Sequence, residues 1–212
     1  MKKDILRFIV SSFLAGIAIA IGGTVFLSLE NKVIGASLFS IGLFFIVTRQ
    51  LHLYTGKVGY IFDNKPKYLI EVLVTIGGNF IGTFLVGNLL RLTRIYDGIH
   101  EKVKVLYDAK INDSMLSIFI LSIFCGILMY LAVNGYKEVK DSVGKYLSVY
   151  LAVVVFILCG FEHSIANMYY FSVANMWSLK VVLYIVIMIL GNAVGGVLFP
   201  LCGKVINKCK NK

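Results

Sequence analysis

Proline, tryptophan and charged residues are all scarce in this chain. Of its 212 residues, two are proline and one is tryptophan, and 15% are charged whereas 58% are hydrophobic. A soluble domain has about a quarter of its residues charged, because its surface must face water. The composition therefore excludes an ordinary soluble domain, and the mean hydropathy of +0.85 indicates a surface that largely faces lipid.

Sequence motifs of enzymes and metal sites are also missing. The chain has no HExxH, GxSxG, GxGxxG or P-loop motif. Its four cysteines form no CxxC pair, and we interpret them as small hydrophobic residues, not as metal ligands or disulfides. We therefore expect no enzyme activity, no cofactor and no metal. The twin Asn-Pro-Ala motifs of aquaporins are absent as well, which argues against a neutral-solute channel of that type.

Six apolar runs are long enough to be membrane-spanning helices, which need about 20 residues each. They cover residues 8–29, 33–51, 68–90, 114–134, 146–160 and 178–203. An even number of spans places both termini on one side, and lysine and arginine are more numerous on that side. The positive-inside rule then predicts a multi-pass protein of the cell membrane with cytoplasmic termini. The net charge of +10 follows this distribution and forms no single patch, so no nucleic-acid partner is expected.

The two halves of the chain resemble each other at an offset of about 110 residues. Residues 78–82 (Gly-Asn-Phe-Ile-Gly) match residues 191–195 (Gly-Asn-Ala-Val-Gly), and we interpret both motifs as glycines for close helix packing. Polar residues interrupt the apolar pattern at 51–60 in the first half and at 160–167 in the second. Irregular backbone inside a bilayer must face protein or a water-filled cavity, so we expect both interruptions to line a pathway.

Each half contains three spans, so two copies of the half insert in opposite orientations, as in many transporters. We therefore predict an all-α membrane protein, a single transmembrane domain over residues 1–212, built from two inverted three-helix repeats. Repeat one covers about residues 5–95, an external loop about 91–113, and repeat two about 114–206. The second and fifth helices are predicted to be broken at the interruptions.

Polar side chains cluster at the second interruption, at the predicted depth of the membrane. Glu162, His163, Ser164 and Asn167 follow a run of apolar residues at 151–158. Ionisable residues inside a membrane are costly and usually mark an ion or proton pathway. Imidazole can also exchange a proton near neutral pH. We therefore predict that this cluster serves a pathway. Glu162 would repel an anion, so we expect it to orient a neighbouring group or to satisfy freed backbone donors.

Residues 160–168 (Gly-Phe-Glu-His-Ser-Ile-Ala-Asn-Met) resemble the signature of the formate/nitrite transporter family. Residues 53–56 (Leu-Tyr-Thr-Gly) resemble the omega-loop motif of that family, and residues 191–196 match its last span. The motifs keep the order of the family over nearly the whole chain. The resemblance implies an aquaporin-like fold and a homopentamer with a pore in each protomer. It also implies passage of a small monovalent anion, such as formate, nitrite or hydrosulfide, together with a proton.

The resemblance also implies roles for particular residues. His163 is the central pore histidine, Thr55 its hydrogen-bonding partner and Lys110 the vestibule lysine, and we count Glu162 and Asn167 among the pore residues as well. Two apolar constrictions flank the histidine and are formed by Phe39, Leu43, Tyr54 and Phe156. Because an ion loses its hydration in such a constriction at high cost, the anion is expected to cross as the neutral weak acid, with protonation assisted by the histidine.

Three positions depart from the family pattern. Tyr54 stands where phenylalanine is usual, Gly126 where asparagine is frequent, and Arg7 near the place of a lysine. These differences leave the identity of the anion open. Two other functions fit the sequence as alternatives, namely a proton-coupled secondary carrier of the same anions and a channel for neutral solutes.

Overall fold

The computed structural model describes residues 2–210, with side chains described for residues 5–209. Every regular element in this part of the chain is helical, which confirms the predicted all-α class. The helices are α1 (Lys2–Ser28), α2 (Lys32–Thr48), α3 (Tyr54–Lys57), α4 (Tyr68–Leu90), α5 (Ile95–Ile111), α6 (Met115–Glu138), α7 (Ser142–Leu158), α8 (Ser164–Ala174) and α9 (Leu179–Lys210). A 3-10 helix, Val58–Asp63, directly follows α3.

Within the described residues, four helices are long and apolar enough to cross a membrane, namely α1, α4, α6 and α9. Helices α2 and α7 are apolar too but have 17 residues each, a length of about 26 Å. Each of these six helices coincides with one predicted apolar run. Apolar helices of this length and number indicate a multi-pass membrane protein.

The segment at 91–113, predicted as an external loop between the two halves, is for the most part helix α5. Ile99 and Val103, four residues apart, are 1% and 0% exposed. Helix α5 uses this face to pack against α8 and α1. The charged side chains lie elsewhere on the helix, and Lys102 Nζ is 2.8 Å from Glu30 Oε1. The many charged residues made this segment look like a loop in the sequence, whereas it forms an amphipathic helix with a short buried face.

The long helices pack in two groups of three. Helix α1 contacts α2 and α4, while α6 contacts α7 and α9, and the two groups meet where α2 packs against α7. The short segments cross between the groups. Helix α8, from the second half of the chain, packs against α4, and the 3-10 helix, from the first half, packs against α9. Each of these short segments is therefore enclosed in part by helices of the other half.

Helices α2 and α7 end in the same way. At each end a backbone N–H donates to the carbonyl five residues earlier, at 2.8 Å in α2 and 2.9 Å in α7. The residue just before each donor is left-handed, with φ 53° at Gln50 and φ 69° at Gly160. This combination is the Schellman motif, which commonly ends a helix. The two left-handed residues are equivalent at the offset that relates the halves in sequence.

The glycines of the two Gly-Asn motifs lie against a neighbouring helix. A Cβ added to Gly78 would lie 2.5 Å from the Cβ of Ser12 on α1, and one added to Gly191 would lie 2.5 Å from the Cβ of Ser122 on α6. These distances are too short for a side chain, so only glycine allows the helices to approach this closely. The predicted packing role of these glycines is confirmed.

We expect Gly78→Ala to destabilise the folded protein by about 1–3 kcal/mol, because the added methyl group forces α1 and α4 apart. Gly77→Ala is the matched control, since nothing lies within 4 Å of a Cβ added there. The free energy of unfolding should stay the same or rise in the control, because alanine favours a helix. Equilibrium unfolding of both variants in mixed micelles measures the difference, and equal stability of the two would contradict the close packing.

Candidate functional site

The non-helical connection between α2 and α3 is held in place by Asn79 of α4. Asn79 Oδ1 accepts a hydrogen bond from the backbone N–H of Tyr54 at 2.9 Å. Its Nδ2 donates to the carbonyl oxygens of His52, at 2.9 Å, and Ser12, at 2.7 Å. The Asn79 side chain is fully buried. The amide therefore satisfies backbone groups that the break leaves without helical partners.

The non-helical connection between α7 and α8 is held in the same way by Asn192 of α9. Asn192 Oδ1 accepts from the backbone N–H of Ser164 at 2.9 Å. Its Nδ2 donates to the carbonyl oxygens of Glu162 and Ser122, both at 2.8 Å. His163 is thus fixed through the backbone on both of its sides.

Sequence reasoning missed the role of these two asparagines. The Gly-Asn motifs were interpreted through their glycines alone. The available signal was an amide at the same place in both halves, inside an otherwise apolar helix. A buried amide needs hydrogen-bond partners, and at membrane depth the backbone of a broken helix supplies them.

His163 lies at the start of α8 and is 2% exposed. Its Nδ1 accepts from the backbone N–H of Ala166 at 3.2 Å, which caps the helix. Its Nε2 lies 3.0 Å from Oγ1 of Thr55, a buried residue of the first half. Because Nδ1 accepts, the ring proton of a neutral imidazole is on Nε2 and is donated to Thr55. The structure brings these two predicted pore residues together and defines the tautomer of the histidine.

Glu162 forms a buried ion pair with Lys110, which lies at the C-terminal end of α5. Lys110 Nζ is 2.8 Å and 2.6 Å from the two carboxylate oxygens, and the two side chains are 12% and 5% exposed. Asn167 Nδ2 donates to Glu162 Oε2 at 2.7 Å and to the carbonyl oxygen of His163 at 3.0 Å. These three predicted site residues form one network, in which Glu162 neutralises and orients Lys110.

Two buried polar atoms of this region have no hydrogen-bond partner among residues 5–209. They are the hydroxyl oxygen of Ser164 and Oδ1 of Asn167. Buried polar atoms without a partner in the protein commonly form hydrogen bonds with ordered water molecules. The chain next to His163 therefore presents a hydroxyl group and an amide oxygen that are free to bind a small polar molecule.

Apolar side chains flank His163 where α2 packs against α7. The Phe156 ring centroid is 5.5 Å from that of the imidazole and 5.8 Å from that of Phe39, which it meets edge to face. Phe39 and Leu43, one helical turn apart on α2, are each 1% exposed, and Phe156 is 4% exposed. Three of the four residues predicted to form constrictions are therefore buried in this apolar layer.

Tyr54, the fourth predicted constriction residue, makes a polar contact with α9. Its hydroxyl donates to the carbonyl oxygen of Ile189 at 2.7 Å. The residue before it, Leu53, lines a cavity together with Gln50, His52 and Lys57. The hydroxyl group that distinguishes Tyr54 from phenylalanine is therefore satisfied by the backbone.

The other two departures from the family pattern lie outside this network. A Cβ added to Gly126 would collide with the backbone of Asn192, so close helix packing excludes an asparagine there. Arg7 is exposed on α1. His52, which precedes the omega-loop motif, stacks on the ring of Phe8 with a centroid distance of 4.4 Å.

Within residues 5–209, no group of three or more histidine, cysteine, aspartate or glutamate side chains lies close enough to hold a metal ion. The four cysteines are free, with Cys125 buried and the others exposed. The candidate site is therefore built from hydrogen bonds, an ion pair and a surrounding apolar layer.

The sequence matches the formate/nitrite transporter family over residues 1–206. An uncharacterised transporter of Bacillus subtilis, YrhG, is 27% identical over 186 residues, covering 80% of this chain and 69% of the relative. A formate-nitrite transporter of Plasmodium falciparum is 24% identical over 211 residues, covering 84% and 68%. A probable formate transporter of Methanothermobacter thermautotrophicus is 28% identical over 242 residues, covering 95% and 88%.

The fold is shared with solved structures. A pentameric formate channel with formate bound superposes with a TM-score of 0.84 at 21% identity, covering 99% of both chains. An ion channel of the same family superposes with a TM-score of 0.81 at 22% identity, covering 97% of this chain and 92% of the other. At these identities the likeness establishes the fold alone. The sequence match, which extends over nearly the whole length, establishes that the chain belongs to the formate/nitrite transporter family.

Proposed function

We propose that this protein is a channel for small monovalent weak-acid anions, with formate, nitrite and hydrosulfide as candidates and a pore through each protomer. The observation that carries the proposal is the hydrogen bond between His163 and Thr55, which joins the broken segments of the two halves in a buried place. Membership of the family supports this substrate class. Relatives described as formate transporters or channels favour formate as the first anion to test.

The proposed pore requires the connection between α2 and α3 to meet the connection between α7 and α8 inside the bilayer. In this architecture α2 with α3, and α7 with α8, each complete one crossing, so that the chain crosses six times as two inverted repeats. The matching asparagine contacts and helix ends support the repeat. The pentameric formate channel of the same fold supports a homopentamer. The distribution of lysine and arginine supports cytoplasmic termini.

Lys110 acts first on an anion that arrives from the face opposite the termini. Two of its three N–H groups are directed to the Glu162 oxygens, which leaves one for the anion. Because Glu162 already balances the charge of Lys110, the anion is bound weakly and is not trapped. Weak binding of this kind is what conduction requires.

The apolar layer of Phe39 and Phe156 then admits the protonated, neutral form of the substrate in preference to the anion. Stripping water from an ion costs far more than stripping it from a neutral molecule. A weak-acid anion can take up a proton from vestibule water and cross as the neutral acid, whereas chloride cannot. His163 assists because its Nε2–H can be donated to the passing species in place of Thr55, and the neutral imidazole adds no charge of its own.

The test is uptake into proteoliposomes that contain the purified protein. Formate, nitrite, hydrosulfide and chloride are compared at external pH values of about 5 to 8. Flux of the weak-acid anions should rise as the pH falls, because the protonated fraction rises, and chloride should be excluded. Saturable flux that a protonophore abolishes would identify a proton-coupled carrier instead, and absence of anion flux from assembled protein would contradict the proposal and direct attention to neutral solutes.

A further inference from the structure

A groove of about 580 Å³ runs between α1 and α2. Its walls are large apolar side chains, each 40–48% exposed, namely Leu14 and Ile21 of α1 and Ile41 and Phe45 of α2. Its floor is formed where the two helices touch, because a Cβ added to Gly42 would lie 2.7 Å from the carbonyl oxygen of Ala18. The walls therefore stand open on both sides of a narrow apolar floor.

The groove is nearly as long as one leaflet of a bilayer is thick. On α2 it extends from Ile41 to Arg49, which are eight residues or about 12 Å apart along the helix. The hydrocarbon region of one leaflet is about 15 Å thick. Because α1 and α2 both lie in the membrane in the proposed architecture, a groove of this length and polarity suits the acyl chain of a lipid.

Among the described residues that line the groove, Arg49 alone is charged, and it lies at one end. It follows Phe45 by one helical turn, on the same face of α2. The carbonyl oxygens of Phe45, Ile46 and Val47 already accept backbone N–H groups, so this helix end does not need the guanidinium. No carboxylate oxygen of residues 5–209 lies within 4.0 Å of it. Its five N–H donors are therefore available to a ligand in the groove.

A second arginine lies beyond the same end of the groove. Arg7 is exposed and precedes Leu14 by seven residues, about two helical turns, so both side chains lie on one face of α1. The neighbour of Arg7, Phe8, stacks on His52 of the connection that follows α2, which places Arg7 near the level where α2 ends. This end of the groove therefore carries two positive charges, whereas its other lining residues are apolar.

We propose that this groove binds one anionic phospholipid from the leaflet next to the N-terminal end of α1. An acyl chain lies between the two helices, and the phosphate group lies at Arg49 and Arg7. Arginine binds phosphate oxygens through paired N–H donors, and its long side chain can reach a headgroup while its stem stays on an apolar wall. A lipid without net charge would leave the two arginines without a counter-ion, so the anionic lipid binds more tightly.

A second copy of the chain is the competing occupant, and it would have to bring a carboxylate to the two arginines. Most acidic side chains described at this end of the molecule are engaged within their own chain. They are Asp63 with Lys204, Glu71 with Lys57, and Asp141 with the N-terminus of α7. Glu138, exposed at the end of α6, is the described carboxylate that remains for a second copy. The phospholipid brings its own negative charge and needs no such residue.

The first test is native mass spectrometry of the purified, assembled protein, which counts the lipids that remain bound in mild detergent. From an equimolar mixture of phosphatidylglycerol and phosphatidylcholine, the wild type should retain the anionic lipid about tenfold more strongly, because each arginine near an anionic headgroup raises affinity about fivefold. The variant Arg7→Gln with Arg49→Gln should lose this preference. If the double variant fails to assemble, Arg49→Gln alone should reduce the preference about fivefold.

The matched control, Lys65→Gln with Lys67→Gln, removes the same charge from exposed positions outside the groove. It should retain phosphatidylglycerol as the wild type does. A photoreactive phosphatidylglycerol, with a diazirine in its acyl chain, then locates the bound lipid. Its labels should concentrate on residues 14–21 and 41–45 and should fall about fivefold or more in the arginine variant. Labels spread evenly over the lipid-facing helices would mean that only the bulk bilayer covers the groove, and would overturn the site.

A second copy in the groove gives a different result. Arg49→Gln and Glu138→Gln would then each disrupt the assembly, and lipid retention would not depend on the arginines. That outcome overturns the proposal. With a lipid in the groove, Glu138→Gln should change neither the assembly nor the retained lipid. None of these measurements depends on transport, so a protein that passes no formate would contradict the proposed channel and leave the lipid site standing.

Discussion

Replacing His163 with alanine should lower formate flux by about 10- to 100-fold. A buried polar group that loses its hydrogen-bond partner costs about 1–3 kcal/mol, and the change removes the Nε2–H that we propose is donated to the passing weak acid. It also removes the cap that Nδ1 provides to the backbone N–H of Ala166, at a cost of about 1 kcal/mol of stability. Formate uptake by proteoliposomes with equal amounts of assembled protein measures the flux.

His163→Asn separates transport from folding. Asparagine is a favoured capping residue, so this variant should recover the stability that alanine loses. Its side chain stops short of the position of Nε2 and cannot reach Thr55, so its flux should stay as low as that of the alanine variant. An assembled variant of either kind with the flux of the wild type would remove His163 from the mechanism.

Replacing Lys110 with methionine should lower the free energy of unfolding by about 3–5 kcal/mol. The change leaves the Glu162 carboxylate, whose side chain is 5% exposed, without its cation. An uncompensated buried charge carries a penalty of this size. Equilibrium unfolding of the purified protein in mixed micelles measures the loss.

The double variant Lys110→Met with Glu162→Gln should recover most of that stability, because removing both members of a buried pair is often neutral. The neutral amide can still accept the hydrogen bond from Asn167. Lys104→Met is the control on the same helix, since Lys104 is exposed and should be replaceable without effect. A double variant as unstable as Lys110→Met would show that the lysine acts through packing and not through its charge.

The sequence was sufficient to predict the all-α class, the apolar helices and the family, because lipid imposes long apolar runs on any spanning helix. Polar residues at 51–60 and 160–167 interrupt those runs, and the sequence predicts broken helices there. Helix α5 was missed because only Ile99 and Val103 are deeply buried in it, and two apolar positions among many charges give little periodic signal.

Contacts between residues distant in the chain could not be predicted from local pattern. Lys110 and Glu162 are 52 residues apart, and the sequence suggested separate tasks for them. Their ion pair depends on how α5 packs over α8, which follows from tertiary packing.

The hydrogen bonds of Asn79 and Asn192 to the backbone set an order in which the protein assembles. Asn79 follows the Tyr54 backbone that it pairs by 25 residues, and Asn192 follows that of Ser164 by 28. Each segment therefore leaves the ribosome ahead of the asparagine that pairs its backbone, and its polar backbone groups stay open until that asparagine follows. The long helix that comes next closes them as it inserts. A chain that stops ahead of α9 would leave the backbone on both sides of His163 without the amide of Asn192, so the last helix completes the support of the histidine segment.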